Sequence, residues 1–348
     1  MGIFEAVRIL IVFALSFMVA LFITPFVFRI LQKFNIRKRN IRDATVAPIF
    51  NSLHKGKIDT PTMGGVIIWI TVLGLAIVFF LLSNIVDGFA GYINFVSRAE
   101  TYLPLGALFL AAIVGFVDDM FGILGKGPRG GGLNMMQKLG LYAIVSAIGA
   151  WWFYFKLGFD TLSIPFLGTI HLGLWYFPFF MFILIATAFS ANETDGLDGL
   201  VGGVFFFAFG ALAVVAFILG RYDLAVMNGS ILGALLAFLW FNIYPAKFFM
   251  GDTGAMSLGI TLGVMAMLTN TALFLPLFAI IMVIESISVI IQITSKRFRK
   301  KKVFLSTPIH HHFEALGWPE SQITMRFWII SAVASIFGMV LFFLSRFV

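Results

Sequence analysis

Long apolar runs separated by short polar clusters dominate the chain. Runs long enough to cross a bilayer, about 17 to 25 residues, fall at about 4–31, 62–83, 102–121, 137–155, 174–191, 200–219, 224–243, 254–272, 274–295 and 325–345. They predict an all-α, polytopic membrane protein with about ten transmembrane helices, in one integral membrane domain spanning 1–348. The segment 156–173 breaks the pattern. Leu162-Ser163-Ile164, then Pro165 and Gly168, then Thr169-Ile170-His171-Leu172 alternate with a strand's period and predict a short hairpin. Trp151, Trp152, Tyr154, Trp175 and Tyr176 flank it, as in the aromatic belts of membrane interfaces. Ile3 to Leu31 is too long for a signal-peptide core and reads as a retained first span.

Composition and charge sharpen that picture. With 60% hydrophobic and 11% charged residues, a soluble domain and a disordered chain are both excluded. The absence of cysteine excludes disulfides, iron–sulfur clusters and thiolate zinc sites. A formal charge of +8 suits anionic lipid or phosphate ligands, and without a soluble basic domain it does not suggest nucleic acid. When the connections are sorted by alternation, nineteen of the 24 basic residues fall on one side and five on the other. That bias predicts that the basic side is cytoplasmic, with both termini outside and the hairpin periplasmic. Lys296 to Lys302 read as a topology anchor in contact with anionic lipid.

The acidic motifs share the basic side. Asn192-Glu193-Thr194-Asp195-Gly196-Leu197-Asp198-Gly199 sets three carboxylates and an amide between two apolar runs, where acids need water, a cation or a partner. If Asp195 and Asp198 begin a helix, their spacing puts both on one face, and Gly196 and Gly199 admit a ligand closely. Gly115 to Asp119 ends the third span with two adjacent carboxylates, which repel unless a cation, a lysine or a proton relieves them. Phe248 to Gly254 brings Asp252 to the start of the eighth span. Charged helix caps are the competing account of each motif. Together they fit a magnesium–phosphate site, since magnesium commonly takes one or two carboxylates and completes its shell with water and phosphates. His310-His311-His312 cannot easily converge on one metal, so phosphate contact or acid–base work suits them better. Lys57 and Thr62 near the second span would meet anionic oxygens. Glu285, within a span, is either a site residue or a packing acid.

In order, Thr60 to Gly65, Gly115 to Asp119, Asn192 to Gly199, Phe249 to Asp252 and Pro308 to Glu314 resemble the phospho-N-acetylmuramoyl-pentapeptide transferases. The run Pro308 to Glu314 followed by Gly317-Trp318-Pro319-Glu320 is specific to this branch of the polyprenyl-phosphate sugar-1-phosphate transferases. The resemblance implies transfer of phospho-N-acetylmuramoyl-pentapeptide from UDP-MurNAc-pentapeptide to undecaprenyl phosphate, giving lipid I and UMP. It also implies Mg2+, a homodimer, and a place in the bacterial plasma membrane among its lipids. By motif match, Asp252 would bind Mg2+, and Asp118 and Asp119 would act at the reacting phosphates. Asn192, Asp195, Gly196 and Asp198 would line the nucleotide side, with Leu197 and Phe249 bordering the uracil. Lys57, Thr62, Lys138, Asn242, His310, His311 and His312 would contact substrates, the histidines with a catalytic part. The chain departs from the family at Gly122, where a lysine is usual, and at Asp59, Glu193 and Ala255. The alternatives are a UDP-N-acetylglucosamine transferase of the same superfamily and an ion-coupled transporter, which would place charges near the bilayer midplane in broken helices.

Overall fold

The computed structural model describes residues 2–37, 60–86, 88–98, 100–126 and 132–347. Among them are ten long helices: α1 Gly2–Lys33, α2 Val66–Ser83, α3 Tyr102–Ile123, α4 Met135–Trp151, α5 Tyr176–Thr194, α6 Leu200–Ile218, α7 Tyr222–Asn242, α8 Gly251–Leu268, α9 Ile280–Phe298 and α10 Glu320–Leu344. Each coincides with an apolar run of the sequence. Nine are long and apolar enough to cross a membrane, and Ala272–Phe278 with α9 forms a bent pair that brings the number to ten when counted as one span. Thr161–Ile164 and Gly168–His171 form the expected antiparallel hairpin, with Thr161 opposite His171.

The ninth span is not the single straight helix that the run 274–295 predicts. It bends by 89° between 272–278 and α9. Ala279 leaves helical geometry at φ −126°, ψ 41°, which strands the preceding carbonyls. Ser335 of α10 donates its hydroxyl to the Phe278 carbonyl at 3.0 Å, so a neighbouring helix satisfies the freed group where water cannot. The second span also starts later than expected, at Val66. Residues 61–65 instead pair with 249–250: Phe249 N–H donates to Pro61 O at 2.8 Å, Gly64 N–H to Phe249 O at 2.8 Å and Gly65 N–H to Met250 O at 2.9 Å.

Helix α8 is the centre of the bundle. Every one of its residues is buried, and it packs on α3 and α5. Yet it is among the least apolar of the spans. In a bilayer the lipid-facing helices need apolar surface, whereas helix–helix contact is won by small residues that let backbones touch. A Cβ at Gly254 would lie 2.7 Å from Gly65 Cα, and one at Gly115 would lie 2.7 Å from Thr253 Cα. Helix α1 shows the opposite arrangement, with one buried stripe through Val12, Ser16, Ala20, Thr24 and Val27 against α7.

The alternation of helices puts the acidic motifs at one end of the bundle. At the other end, Arg8 ties α1 to Asp223 at 2.6 Å and to the Asn94 carbonyl at 2.6 Å, and meets Glu5 of its own helix at 3.0 Å.

Candidate active site

The N-terminus of α8 is where the acids meet. Its first N–H groups lack intrahelical partners and carry the positive end of the helix dipole. Asp195 Oδ2 accepts the Gly251 N–H at 3.0 Å, and Asp119 Oδ2 accepts the Thr253 N–H at 2.9 Å. The caps of α8 are therefore two carboxylates borrowed from other segments. Asp252, the residue for which a cap is the local expectation, turns elsewhere: Asn192 Nδ2 donates to its Oδ1, and Lys138 Nζ lies 2.9 Å from its Oδ2.

Lys138, on the first turn of α4, also lies 2.7 Å from Asp118 Oδ2. The other Asp118 oxygen accepts the Leu133 N–H at 2.7 Å. Adjacent on one helix, Asp118 and Asp119 point about 100° apart, so their repulsion is relieved twice over. A lysine meets one, and the positive end of a helix meets the other. One ammonium shared by Asp118 and Asp252 marks a point of concentrated negative charge that holds a cation. Among the described residues, no three His, Asp or Glu side chains close around a metal. Asp118 and Asp252, the latter held by the Asn192 amide, are the residues that would hold a magnesium ion, which takes one or two carboxylates and completes its shell with water and phosphates.

Asp195 and Asp198 do not begin a helix. They sit in the turn between α5 and α6, where Asp195 leaves helical geometry at φ −79°, ψ 61°, so the helical spacing that would align the two carboxylates is lost. Asp198 is a buried brace: its Oδ2 accepts the Ala246 N–H at 3.0 Å, its N–H donates to Glu320 Oε1 at 2.6 Å, and its carbonyl accepts from Thr324 at 3.1 Å. Asn242 is a second brace, accepting the Gly199 N–H at 3.1 Å and donating to the Phe248 carbonyl at 2.8 Å. Leu197 and Thr62 are buried, while Phe249 is half-buried. Glu320 and Thr324 had no assigned role in the sequence. Glu320 lies in the Gly317-Trp318-Pro319-Glu320 run, so a signal was present without a partner to interpret it.

The three histidines start a short helix, Ile309–Ala315, and face three different partners. His310 Nδ1 lies 3.1 Å from Glu285, His311 Nδ1 lies 2.6 Å from Glu314, and His312 Nδ1 accepts the Leu305 N–H at 3.2 Å. They do not converge. His310 has no exposed surface, so substrate contact by this ring requires it to be uncovered. Lys57 and Asp59 lie outside the described residues. Lys126, the candidate replacement for the lysine missing at Gly122, is exposed just past the end of α3.

Replacing Lys138 by Met removes the cation from between two carboxylates. The side chain is 22% exposed, so the expected loss is about 1–3 kcal/mol, below that of a fully buried pair. Thermal unfolding in EDTA should show a lowered midpoint for Lys138→Met, recovered in part by added Mg2+. An unchanged midpoint in EDTA would contradict the shared-cation geometry.

Residues 101–270 match the model of glycosyl transferase family 4. The chain is similar to proteins named phospho-N-acetylmuramoyl-pentapeptide-transferase from several bacteria. That of Chloroflexus aurantiacus (strain ATCC 29366 / DSM 635 / J-10-fl) is 33% identical over 96% of this chain and 89% of its own length. That of Clostridium perfringens (strain 13 / Type A) is 37% identical over 94% and 96%. That of Geobacillus sp. (strain WCH70) is 39% identical over 82% and 84%. With 33–37% identity over 94–96% of this chain, this protein belongs to the phospho-N-acetylmuramoyl-pentapeptide-transferase family.

Proposed function

We propose that this chain is a membrane enzyme that transfers phospho-N-acetylmuramoyl-pentapeptide from its UDP carrier to undecaprenyl phosphate, giving lipid I and UMP. Family membership supports the substrate pair. The observation that carries the chemistry is Lys138 held between Asp118 and Asp252 beside the start of α8. Phosphoryl transfer needs mainly positioning and neutralisation of charge, and such a cluster provides both.

In the reaction, an oxygen of the lipid phosphate bonds to the sugar-bearing phosphorus. The bond from that phosphorus to the bridging oxygen breaks, and the bridging oxygen leaves with UMP. A phosphate monoester has a second pKa of about 6, so the lipid phosphate is largely a dianion at neutral pH and attacks directly. Asp118, engaged by Lys138 and by the Leu133 N–H, suits orientation of that phosphate rather than bond formation. Asp252 and Asp118 would hold Mg2+, which neutralises the diphosphate when bound. Lys138 would then be released toward the phosphate oxygens. Asn192, Asp195, Gly196, Leu197 and Phe249 would line the nucleotide side, and Thr62, Lys57, His311 and His312 would contact substrate. Asp198 and Asn242 would act as braces of the turn. The chain would function as a homodimer.

The test of substrate class is turnover of UDP-MurNAc-pentapeptide and of UDP-N-acetylglucosamine by the full chain, with undecaprenyl phosphate and Mg2+. Lipid I and UMP should form from the first nucleotide, with little or no product from the second. The reverse preference would move the protein to the sister branch.

The basic bias favours a cytoplasmic position for this end of the bundle, in the bacterial plasma membrane with both termini outside. The chain has no cysteine, so Ser306→Cys and Ser163→Cys each give a single label site. In intact cells an impermeant thiol reagent should reach residue 163 and spare residue 306. Labelling at 306 from outside would overturn the orientation.

A further inference from the structure

Helix α10 reaches the turn between α5 and α6 with Glu320, Thr324 and Trp328. Residues four apart lie one above the other on a helix, so the three side chains form a single stripe. Each meets a backbone group of the turn. Glu320 Oε1 accepts the Asp198 N–H at 2.6 Å, the Thr324 hydroxyl donates to the Asp198 carbonyl at 3.1 Å, and the Trp328 indole N–H donates to the Gly199 carbonyl at 3.1 Å. Along α10 the rungs follow the turn in chain order.

Glycines make room for this ladder. A Cβ at Gly203 would fall 2.6 Å from Trp328 Cδ1, and one at Gly199 would fall 3.4 Å from its Cζ2, so the indole lies in a notch at the start of α6. The remaining backbone group, the Gly199 N–H, donates to Asn242 at 3.1 Å. All four backbone polar groups of Asp198 and Gly199 are therefore engaged by side chains, three of them from α10. The same turn carries Asp195, whose carboxylate caps α8 through the Gly251 N–H, next to Asp252. Hydrogen bonds of this kind hold a site residue in its working geometry while standing outside the site themselves.

We propose that Glu320, Thr324 and Trp328 are positioning residues for the nucleotide substrate. Through the backbone of Asp198 and Gly199 they set the turn 195–199 against the start of α8. This assignment rests on the transferase reading above, in which Asp195, Gly196 and Leu197 line the nucleotide side.

The test pairs amide exchange with kinetics on the full chain in nanodiscs. Glu320→Leu, Thr324→Val and Trp328→Phe each remove one rung with little change in bulk. Glu320→Gln and Thr324→Ser keep the acceptor and the donor respectively. Exchange across 195–199, followed by mass spectrometry without substrate, should quicken by about 2–10-fold in the three rung-removing variants, the scale of one net hydrogen bond. The KM for UDP-MurNAc-pentapeptide should rise by the same factor. The KM for undecaprenyl phosphate and kcat should stay within about 2-fold, the pattern of lost uniform binding of one substrate. The two conservative variants should follow the parent in both measurements. A purely structural role would not separate the two KM values.

Unchanged exchange across 195–199 in all three rung-removing variants would overturn the proposal, as would equal shifts of the two KM values or a nucleotide KM that does not move. If Trp328→Phe or Glu320→Leu fails to fold, Thr324→Val against Thr324→Ser still decides. Absence of turnover by the parent chain would refute the transferase reading and the nucleotide role with it, whereas a parent that turns over while its variants show unsplit KM values overturns this proposal alone.

Discussion

Charge concentrated at one end of an apolar bundle is the constraint on which the structure depends. Asp118 and Asp252 come from different helices and share one ammonium, that of Lys138. Without a cation between them the two carboxylates would repel at short range in surroundings that screen poorly. Their neighbours follow from the same requirement. Asp195 and Asp119 are neutralised by the positive end of α8, and Asn192 fixes Asp252 by a hydrogen bond without adding charge.

That arrangement demands a helix whose first turn can be approached from several sides. α8 meets the demand by being small rather than apolar. Gly65 and Gly254 bring α2 and α8 into backbone contact, and Gly115 does the same for α3. The backbone pairing of 61–65 with 249–250 then fixes the entry of α8. The break at Ala279 redirects the chain so that α9 reaches the histidine segment, with Ser335 satisfying the carbonyl that the break leaves behind. Packing and chemistry are therefore one problem here: the substitutions that would tighten lipid-facing helices would push α8 away from its neighbours.

Much of the fold was legible because span length and hydropathy are set by the bilayer, and the ten apolar runs reappear as helices at nearly the same places. The break near Ala279 had one local signal that went unread, Pro276 within the run 274–295, while its compensation comes from Ser335, 57 residues from Phe278 in sequence. Within the site, residue types were legible but directions were not. The Asp195–Asp198 pair suggested one helical face, but the helix ends at Asp195, and the Asp118–Asp119 pair proved to face different partners. Asp198 and Asn242 stood out as polar residues near a membrane face, yet their side chains hold backbone in place. Glu285 was ambiguous because its partner, His310, is 25 residues away on a segment whose return path no local pattern encodes.

The central claim is that this cluster works by neutralising and aligning charge, with the lipid phosphate as nucleophile and Asp118 as its orienting group. The direct measurement is isotope exchange in rigorously lipid-depleted enzyme, using labelled UMP, unlabelled UDP-MurNAc-pentapeptide and Mg2+. Direct attack predicts no label in the nucleotide sugar until undecaprenyl phosphate is supplied. Robust exchange without lipid, abolished by Asp118→Asn, would contradict the account and make Asp118 a covalent nucleophile.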